Sequence, residues 1–359
     1  MQPIHFTKTQ GDQFYKELRS RVNAYFKSNN ISRYGNGKMV FKTIFMIFLY
    51  LTPVVLNLTV ISNPWIALLF WAIAGFGMAG IGLSIMHDAN HGAYSKKKKV
   101  NDRIGSIMMI LGGSDVNWRI QHNVLHHTYT NVSTYDEDID APSFLLRFDP
   151  NKELKKIHRY QHIYAWLLYG LMTIMWFVTK DYMSTVRYKK EGLFKTQNIS
   201  MGKHWTRLII GKGIFAFIFI ALPIWLAPVS WYVSLIGFFV MQFVSGMTLS
   251  LIFQPAHVIP DTNFPMPENG KFEESWAVHQ LRTTANFAPK AKFFSWFVGG
   301  LNYQVEHHLF PNICHVHYKN ISEIVKKTAQ EFQLPYYSNR TFVSALRQHA
   351  KMLKSLGRA

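Results

Sequence analysis

The chain of 359 residues contains a single cysteine, Cys314. A disulfide framework needs at least two cysteines, and a cysteine-rich zinc site or an iron–sulfur cluster needs several more. One cysteine therefore excludes all three within this chain. Histidine, with 16 occurrences, is left as the more informative metal-binding side chain.

Acidic residues are also scarce, with 20 Asp and Glu against 39 Lys and Arg, which gives a formal net charge of +19. Nucleic acid is one usual partner of a basic chain, but no nucleic-acid-binding motif accompanies the charge. Because 48% of the residues are hydrophobic, positive-inside topology and anionic headgroups explain the charge better. The first 42 residues lack the apolar core of a cleavable signal peptide.

Charge is absent from four long apolar stretches, apart from Lys212 near the start of the third. Each stretch is long enough to cross a ~30 Å hydrocarbon core, and Lys212 can extend toward the interface. Short connections join them in pairs, so the sequence predicts two hairpins. The predicted spans are Thr43–Ser62, Pro64–Met86, Leu208–Ala227 and Trp231–Phe253.

A fifth apolar stretch, Ile163–Val178, is shorter than the others. If it crossed the membrane, the basic segment Lys180–Arg207 would lie outside, against the positive-inside tendency. We therefore expect an interfacial or re-entrant helix there, and a second interfacial helix over Ile104–Gly113. The predicted fold is an all-α integral membrane protein. It has four transmembrane helices in two hairpins, and a helical cytoplasmic cap over a single domain (43–359) that follows an N-terminal cytoplasmic tail (1–42).

Seven histidines form three tight clusters, and this topology brings all three to the cytoplasmic side with both termini. In a helix, residues four apart project from one face, so the first and second clusters each offer a pair of aligned imidazoles. Imidazole suits iron, copper and zinc, and neutral histidines hold a cation without adding negative charge. Lone histidines elsewhere are read as ordinary structural residues. The cluster histidines are His87 and His91; His122, His126 and His127; and His307 and His308.

These clusters resemble the histidine boxes of the membrane fatty acid desaturases. The resemblance includes MHDANHGAYS, WRIQHNVLHHTYTN with the following DEDID, FQPAHVIP, WAVHQLRTTANF and GGLNYQVEHHLFPNICHVHY. It extends from about Pro64 to the C-terminus and is close to bacterial acyl-CoA and acyl-lipid desaturases, including those named linoleoyl-CoA desaturases. Gln304 stands where many members have the first histidine of the third box. That pattern is typical of front-end desaturases, which place a new double bond on the carboxyl side of an existing one.

The resemblance implies a centre of two iron ions that uses O2 to insert a cis double bond into an acyl-CoA or acyl-lipid chain. The seven cluster histidines would be catalytic iron ligands, and His257 would be an eighth. Gln304, Asp88 and Asp138 would support the ligands, as Asp136 and Asp140 could. His279 could contact metal or substrate, and the positions of Trp118, Arg119 and Arg282 near the motifs make them candidate substrate contacts.

The resemblance also carries expectations about partners. Front-end desaturases often contain a fused cytochrome b5 domain with a His-Pro-Gly-Gly motif, and no such motif occurs here. We therefore expect a separate electron donor, either ferredoxin or cytochrome b5 with its reductase, which the basic cytoplasmic face would attract. The expected location is a lipid bilayer, specifically a bacterial inner membrane with the active site on the cytoplasmic side.

Two other functions remain open at this point. A membrane di-iron hydroxylase of a lipid or hydrocarbon uses similar histidine boxes, and the histidines alone do not separate hydroxylation from desaturation. A metal transporter is a remoter alternative, because it would require ionisable residues within the spans, where only Lys212 is found. The position of the double bond and the form of the acyl carrier do not follow from the residues.

Overall fold

The computed structural model describes residues 4–7, 10–139 and 144–358, and these residues are mostly helical. The chain divides into two compact units, each assembled from separate parts of the sequence. The first unit comprises Met1–Asn36, Gln121–Ala165 and Ile252–Ala359, and the second comprises Gly37–Ile120 and Trp166–Leu251. The predicted all-α membrane fold is confirmed.

Four helices are long and apolar enough to cross a membrane: Gly37–Thr59, Pro64–Asn90, Met201–Leu226 and Trp231–His257. We call them the first to fourth spans. The first begins six residues before the predicted Thr43 and therefore includes Lys42, which is only 2% exposed. The third begins at Met201 rather than Leu208, and the fourth continues to His257 rather than ending at Phe253.

Glycine allows the spans of the second unit to approach closely. A Cβ atom on Gly77 would lie 2.5 Å from the backbone nitrogen of Tyr50, and one on Gly75 would lie 2.6 Å from the carbonyl oxygen of Met241. Small residues let helices pack backbone to backbone in lipid, where no hydrophobic force holds them together. The second span is thus packed tightly against the first and the fourth.

The connection between the first two spans is held by a helix cap. The side-chain oxygen of Asn63 accepts hydrogen bonds from the backbone N–H groups of Trp65 and Ile66, at 3.0 and 3.2 Å. Pro64 occupies the first helical position, where its missing N–H costs nothing. The Asn63 cap and Pro64 together begin the second span a few residues after the first span ends.

The fifth apolar stretch forms two helices, Lys156–Tyr169 and Met172–Lys190, that meet at a 70° bend. This geometry belongs to a broken span or a re-entrant loop, and the expected interfacial position stays a prediction. The stretch predicted as Ile104–Gly113 is a helix, Lys98–Gly105, followed by a 3-10 turn, Ser106–Leu111. A Cβ atom on Gly211 of the third span would lie 3.0 Å from Met109 in that turn.

The remaining helices are short, except for three amphipathic ones. Those three are Gln10–Ser28, Tyr318–Glu331 and Phe342–Leu356. The short ones are Asp115–Trp118 with its π-helical continuation Arg119–His126, Trp276–Thr283, Lys292–Phe297 and Gln304–Leu309, together with 3-10 turns at Leu193–Gln197 and His315–His317. Two parallel strand pairs complete the described residues: His5–Phe6 with Lys271–Phe272, and Ala285–Phe287 with Tyr337–Asn339.

The segment predicted as an N-terminal tail contains a helix, Gln10–Ser28, that is built into the first unit. Its buried positions Phe14, Leu18 and Val22 recur every four residues and join the hydrophobic core formed with Trp276–Thr283 and Tyr318–Glu331. Sequence reasoning stressed the polar and basic composition of this segment and missed its apolar stripe. The segment is thus part of the fold that surrounds the histidines.

Candidate metal centre

The second histidine cluster lies on a π-helix rather than an α-helix. Residues Arg119–His126 are π-helical, and the backbone N–H of His127 donates to the carbonyl oxygen of His122, five residues earlier. Such a turn returns to the same face after about five residues, which is why π-segments recur at functional sites. His127 therefore faces His122, with 3.2 Å between their Nε2 atoms, whereas in an α-helix the two would lie about 140° apart around the axis.

Two of the first unit's histidines have one ring nitrogen fixed by an oxygen acceptor. The Nδ1 atom of His126 lies 3.0 Å from both carboxylate oxygens of Asp136, and Nδ1 of His257 lies 3.2 Å from the carbonyl oxygen of Thr283. Asp136 is held in turn by the backbone N–H groups of Asn131 and Asp138. In metal sites such contacts orient the imidazole and direct the other nitrogen at the metal.

Three further histidines share this arrangement. Nδ1 of His308 lies 2.8 Å from the side-chain oxygen of Gln280, and Nδ1 of His307 lies 3.2 Å from the hydroxyl of Tyr318. Nδ1 of His122 lies 3.3 Å from a carboxylate oxygen of Asp138. Outer oxygens therefore hold Nδ1 of five histidines, and the choice of tautomer follows from those partners.

The inner faces of these rings converge into two groups that share one member. Ligand atoms of His126, His257 and His308 lie within 4.8 Å of one another, as do those of His127, His307 and His308. All of these residues are buried, with exposures of 6% or less. The first unit thus contains two overlapping triads of buried imidazoles, each of which could hold a cation.

The chemistry of the donor set fits a metal. Among the described residues, Nε2 of His126 and Nε2 of His257 are buried without a hydrogen-bond partner. An unsatisfied buried polar atom is costly, and a metal ion would satisfy both nitrogens. Nε2 of His127 also lies 2.9 Å from Nε2 of His307, and converging nitrogen lone pairs of this kind are stabilised by a cation.

Gln304 is fully buried. It begins the helix Gln304–Leu309, which also carries His307 and His308. Neither its amide nitrogen nor its amide oxygen has a partner among the described residues. An amide is a weaker ligand for iron than imidazole, but it can hold a water molecule. Gln304 is thus a buried polar side chain whose hydrogen-bonding groups remain unsatisfied by the described residues.

A buried network fixes the helix that bears the third cluster. The side-chain oxygen of Asn286 accepts the backbone N–H of Val305 at 2.9 Å, and its amide nitrogen donates to Glu306 at 2.8 Å. The Tyr336 hydroxyl donates to the other oxygen of Glu306 at 2.9 Å. Burial raises the pKa of Glu306 to about 7, against the opposing effect of these hydrogen bonds. Asn286 and Tyr336 thereby connect the C-terminal region to the helix of the third cluster.

The first cluster lies in the second unit. The rings of His87 and His91 are 4.7 Å apart, at the end of a π-helical segment, Ile81–Met86, of the second span. Trp118 packs edge-on against both rings, at 5.4 and 5.5 Å. The Asp88 carboxylate lies 3.8 Å from Nδ1 of His87, too far for a direct hydrogen bond. The pair is aligned as its spacing predicts.

Arg119, considered above as a substrate contact, is engaged inside the second unit. Its guanidinium donates to Asp115 at 2.9 Å, Asn90 at 3.0 Å and Gln197 at 2.9 Å. Arg207 pairs with the same Asp115 at 3.1 Å. These contacts give Arg119 a structural role beside the second cluster.

The two candidates on the helix Trp276–Thr283 are also held by protein groups. Nε2 of His279 lies 2.9 Å from the carbonyl oxygen of Thr130, and Nδ1 lies 3.5 Å from Glu274. Arg282 pairs with the same Glu274 at 2.8 Å. Both nitrogens of His279 therefore face protein oxygens, whereas Nε2 of His257 does not, so the geometry favours His257 as the additional ligand.

Sequence reasoning missed the residues that hold the third cluster from a distance. Gln280 lies 28 positions before His308 in the sequence. Thr130 lies 178 positions before His308, and the Thr130 hydroxyl is 3.3 Å from Nδ1 of His308. No spacing rule links residues so far apart. Of the second cluster's acidic run, Asp136 and Asp138 contact histidines as expected, and Asp140 lies outside the described residues.

These features define a class: a helical membrane protein with buried histidine clusters that could hold metal ions. Comparison with known proteins is specific. The family model for fatty acid desaturases matches residues 63–340. The chain is 36% identical over 362 residues to the sn-1 linoleoyl-lipid 6-desaturase of Arthrospira platensis, which covers 98% of this chain and 94% of that protein.

Two more relatives extend the comparison. Identity is 35% over 356 residues to the acyl-lipid (8-3)-desaturase of Physcomitrium patens, covering 99% of this chain and 74% of the relative. It is 33% over 368 residues to the sn-1 linoleoyl-lipid 6-desaturase of Synechocystis sp., covering 99% and 98%. The chain belongs to the fatty acid desaturase family, and it is an oxidoreductase that desaturates fatty acyl chains.

Proposed function

We propose that this protein is an O2-dependent front-end acyl-lipid desaturase whose histidines hold two iron ions. The proposed ligands are His87, His91, His122, His126, His127, His257, His307 and His308. The observation that carries the proposal is the shared geometry of five histidines in the first unit. Each has Nδ1 within 3.3 Å of a protein oxygen, an arrangement that in metal sites directs Nε2 at the metal.

The donor set suits iron, copper or zinc, and the chemistry of the family favours iron among them. Carboxylates support Nδ1 of His122 and His126 from outside, and neutral imidazoles supply the inner ligands. When bound, the two irons would activate O2 for removal of one hydrogen from each of two adjacent carbons of an unactivated chain. The protein's own part is to orient the imidazoles, to keep water out and to hold the chain in place.

The exclusion of water follows from burial. His126, His307 and His308 are each 0% exposed, and His257 is 3% exposed. A strongly oxidising centre must be reached by the apolar chain before it is reached by solvent, and a buried site achieves this. Trp118, which packs on His87 and His91, is our candidate for a side chain that bounds the path of the acyl chain.

The substrate class is drawn from the relatives. Two of them are named sn-1 linoleoyl-lipid 6-desaturase, and their similarity to this chain covers nearly its whole length. We propose an acyl-lipid carrying an existing double bond as the substrate. Gln304 supports the front-end assignment, because it stands where many family members have a histidine, and its buried amide has no partner among the described residues. We propose that it holds a water molecule beside the metals.

We further propose that the site faces the cytoplasm of a bacterial cell and receives electrons from a separate ferredoxin or cytochrome b5. The positive-inside tendency supports this orientation, because the segments expected on that side carry most of the basic residues. The net charge of +19 also suits an acidic electron carrier.

The test is expression in a host that lacks polyunsaturated lipids, together with a ferredoxin and its reductase, and feeding with oleate or linoleate. Gas chromatography–mass spectrometry should detect a new double bond on the carboxyl side of the existing one. A His307→Ala variant should yield none. Purified wild-type protein should contain two irons per chain.

Other outcomes would redirect the assignment. A hydroxylated chain would indicate a hydroxylase, and a double bond on the methyl side would remove the front-end assignment. Folded protein that binds no iron would overturn the di-iron site itself.

A further inference from the structure

We propose that an acidic one-electron carrier protein docks on the exposed face of the helix Gln10–Ser28 around Tyr15, Lys16 and Arg19. From there Trp276 conducts electrons to the backbone of His127. This inference rests on the proposed function, since only a metal at the histidines needs electrons from outside. It adds a docking surface and a route to that function.

The route begins at a metal-ligand candidate. The indole N–H of Trp276 donates to the carbonyl oxygen of His127 at 3.0 Å. Within the described part of the first unit, the other aromatic rings beside the cluster are less suitable. Tyr318 is 1% exposed, and Phe253 lies in the apolar fourth span. Trp276 is partly exposed and bonded to the same residue that carries a proposed ligand atom.

The second step leads from Trp276 to the surface. The ring of Tyr15 lies edge-on to that of Trp276, with 5.4 Å between centroids. The Tyr15 hydroxyl donates to the carbonyl oxygen of Leu309, the residue after His308, at 3.1 Å. Tyr15 thus touches the histidine-bearing segments at two points while remaining partly exposed. Electron transfer falls steeply with distance, so two aromatic contacts in sequence form a short path.

The third step is the surface itself. Lys16 and Arg19 are exposed beside Tyr15, and the Arg19 guanidinium lies over the Tyr15 ring at 5.7 Å. With Asp12, Ser20 and Asn23 they line a shallow depression on the helix. Arg21, by contrast, is paired with Glu17 and Glu331. The groups around Tyr15 therefore present positive charge, which steers an acidic partner toward this face.

The helix is fixed where the route crosses it. A Cβ atom on Gly11 would lie 2.1 Å from the Ser275 hydroxyl and 2.6 Å from Val278, so only glycine permits this approach. Ser275 precedes Trp276. The helix therefore packs directly against the segment that carries the indole, and this close packing supports the contact between Tyr15 and Trp276. A rigid contact suits electron transfer better than a mobile one.

The electron count requires a donor outside the chain and its substrate. Conversion of O2 to two molecules of water takes four electrons and four protons. The acyl chain supplies two of each when two C–H bonds break and the C=C bond forms. The remaining two protons come from water, and the remaining two electrons come from two reduced carriers, each oxidised by one electron.

Docking is tested first with binding, using purified full-length protein and reduced plant-type [2Fe–2S] ferredoxin as the probe. We expect the double variant Lys16→Glu with Arg19→Glu to bind about tenfold more weakly at low salt. The control is Lys351→Glu with Lys354→Glu, which makes the same charge change on exposed positions of the helix Phe342–Leu356. It should bind like the wild type. An equal loss of binding affinity in both variants would show that only the overall charge matters and would overturn the proposed docking surface.

The route is tested by anaerobic stopped-flow reduction of the iron-loaded protein, by ferredoxin and separately by dithionite. Trp276→Leu should slow reduction by ferredoxin at least about tenfold and leave reduction by dithionite and the iron content unchanged. Trp276→Phe keeps a ring and should be slowed less. Loss of iron, or equal slowing with both reductants, would show that Trp276 only supports His127 and would overturn the route.

The two levels of hypothesis remain distinguishable. If dithionite-driven turnover yields no unsaturated product, the proposed function fails. If it does yield product but neither ferredoxin nor an acidic soluble cytochrome b5 domain binds the wild-type protein with salt sensitivity, only the docking inference fails.

Discussion

His126 in the first unit and His204 in the second are both buried imidazoles with an oxygen acceptor or donor beside one nitrogen. Nδ1 of His126 faces Asp136, and its Nε2 has no partner among the described residues. Nε2 of His204 instead meets the Thr185 hydroxyl at 3.0 Å, within a network that includes Asn117 and Asp181. Burial alone therefore does not identify a metal ligand. The informative feature of His126 is that one ring nitrogen is held by a carboxylate while the other has no partner among the described residues.

The two units differ in the same way in their use of charge. The carboxylates of Asp136 and Asp138 in the first unit face histidines, whose own partner would be a cation. In the second unit, Asp181 faces Lys212 at 2.7 Å, and Lys212 also donates to the carbonyl oxygens of Gly112 and Trp176. The second arrangement is complete without a ligand. The proposed role of the first arrangement is to hold a metal, whereas the second holds helices together.

The largest expected effect separates the two triads of the first unit. His308 belongs to both triads, and His257 belongs to one. We expect His308→Ala to lose both irons and all product, and His257→Ala to lose one iron. Inductively coupled plasma mass spectrometry of purified variants measures this. His349→Gln, a change at another buried histidine, should keep both irons; retention of both irons in His308→Ala would contradict the overlapping triads.

Breaking the ion pair of the second unit should destabilise the protein without altering the ligands. Lys212→Met leaves Asp181 buried and uncompensated, which costs about 3–5 kcal/mol. The double variant Lys212→Met with Asp181→Asn should recover much of this, because Asn can still accept from Asn117. Thermal unfolding in detergent gives the comparison, and the folded fraction of each variant should still carry two irons. A double variant no better than Lys212→Met would argue against the ion pair as the cause.

A smaller effect is expected from the acceptor behind His126. Asp136→Asn keeps the shape but replaces one carboxylate oxygen with an amide nitrogen, so Nδ1 loses its symmetrical charged partner. Loss of an outer partner of this kind typically lowers metal affinity about 10–100-fold. Competition with a chelator measures the affinity. The matched change Asp115→Asn in the second unit, where the carboxylate pairs with Arg119 and Arg207, should leave iron affinity near that of the wild type.

The smallest effect concerns pH. Burial lowers the pKa of His349 to about 4, even though Nδ1 lies 2.8 Å from the carbonyl oxygen of Val258. The unfolded chain, with a pKa near 6.5, binds a proton that the folded chain rejects, so stability falls as pH drops from about 6.5 toward 4. At pH 5 the expected loss is about 2 kcal/mol relative to pH 7. The unfolding midpoint of His349→Gln should depend less on pH in this range; an identical dependence would refute this role.

The sequence was sufficient for features that depend on local pattern. Uncharged runs predicted four spans, and H-x3-H spacing predicted the alignment of His87 with His91. Composition misled at the N-terminus, because the polar residues of Gln10–Ser28 drew attention away from the buried stripe of Phe14, Leu18 and Val22. Helix ends were also misplaced, since hydropathy began the first span after Lys42 and ended the fourth before His257.

The residues behind the histidines could not be predicted, because they meet their partners only after folding. Asn286 and Tyr336 bind Glu306 from positions 20 and 30 residues away. Asn286 lies in the motif WAVHQLRTTANF, but the motif does not indicate which residue it contacts. The Gln280 amide behind His308 is comparable. The residue type of a side chain that only orients another side chain does not reveal that role in the sequence. Such roles emerge from distances rather than from composition.

The π-helical segments Ile81–Met86 and Arg119–His126 give the histidine boxes an unusual kind of fragility. Each is equivalent to an α-helix that has gained one residue, and it is retained although the hydrogen bonding is less favourable. If all the residues of Ile81–Met86 instead formed a regular α-helix, everything after the segment would turn by about 100°. Such a change would improve the helix geometry and misplace His87 and His91. The positions of these two histidines therefore depend on one extra residue being accommodated in the turn before them.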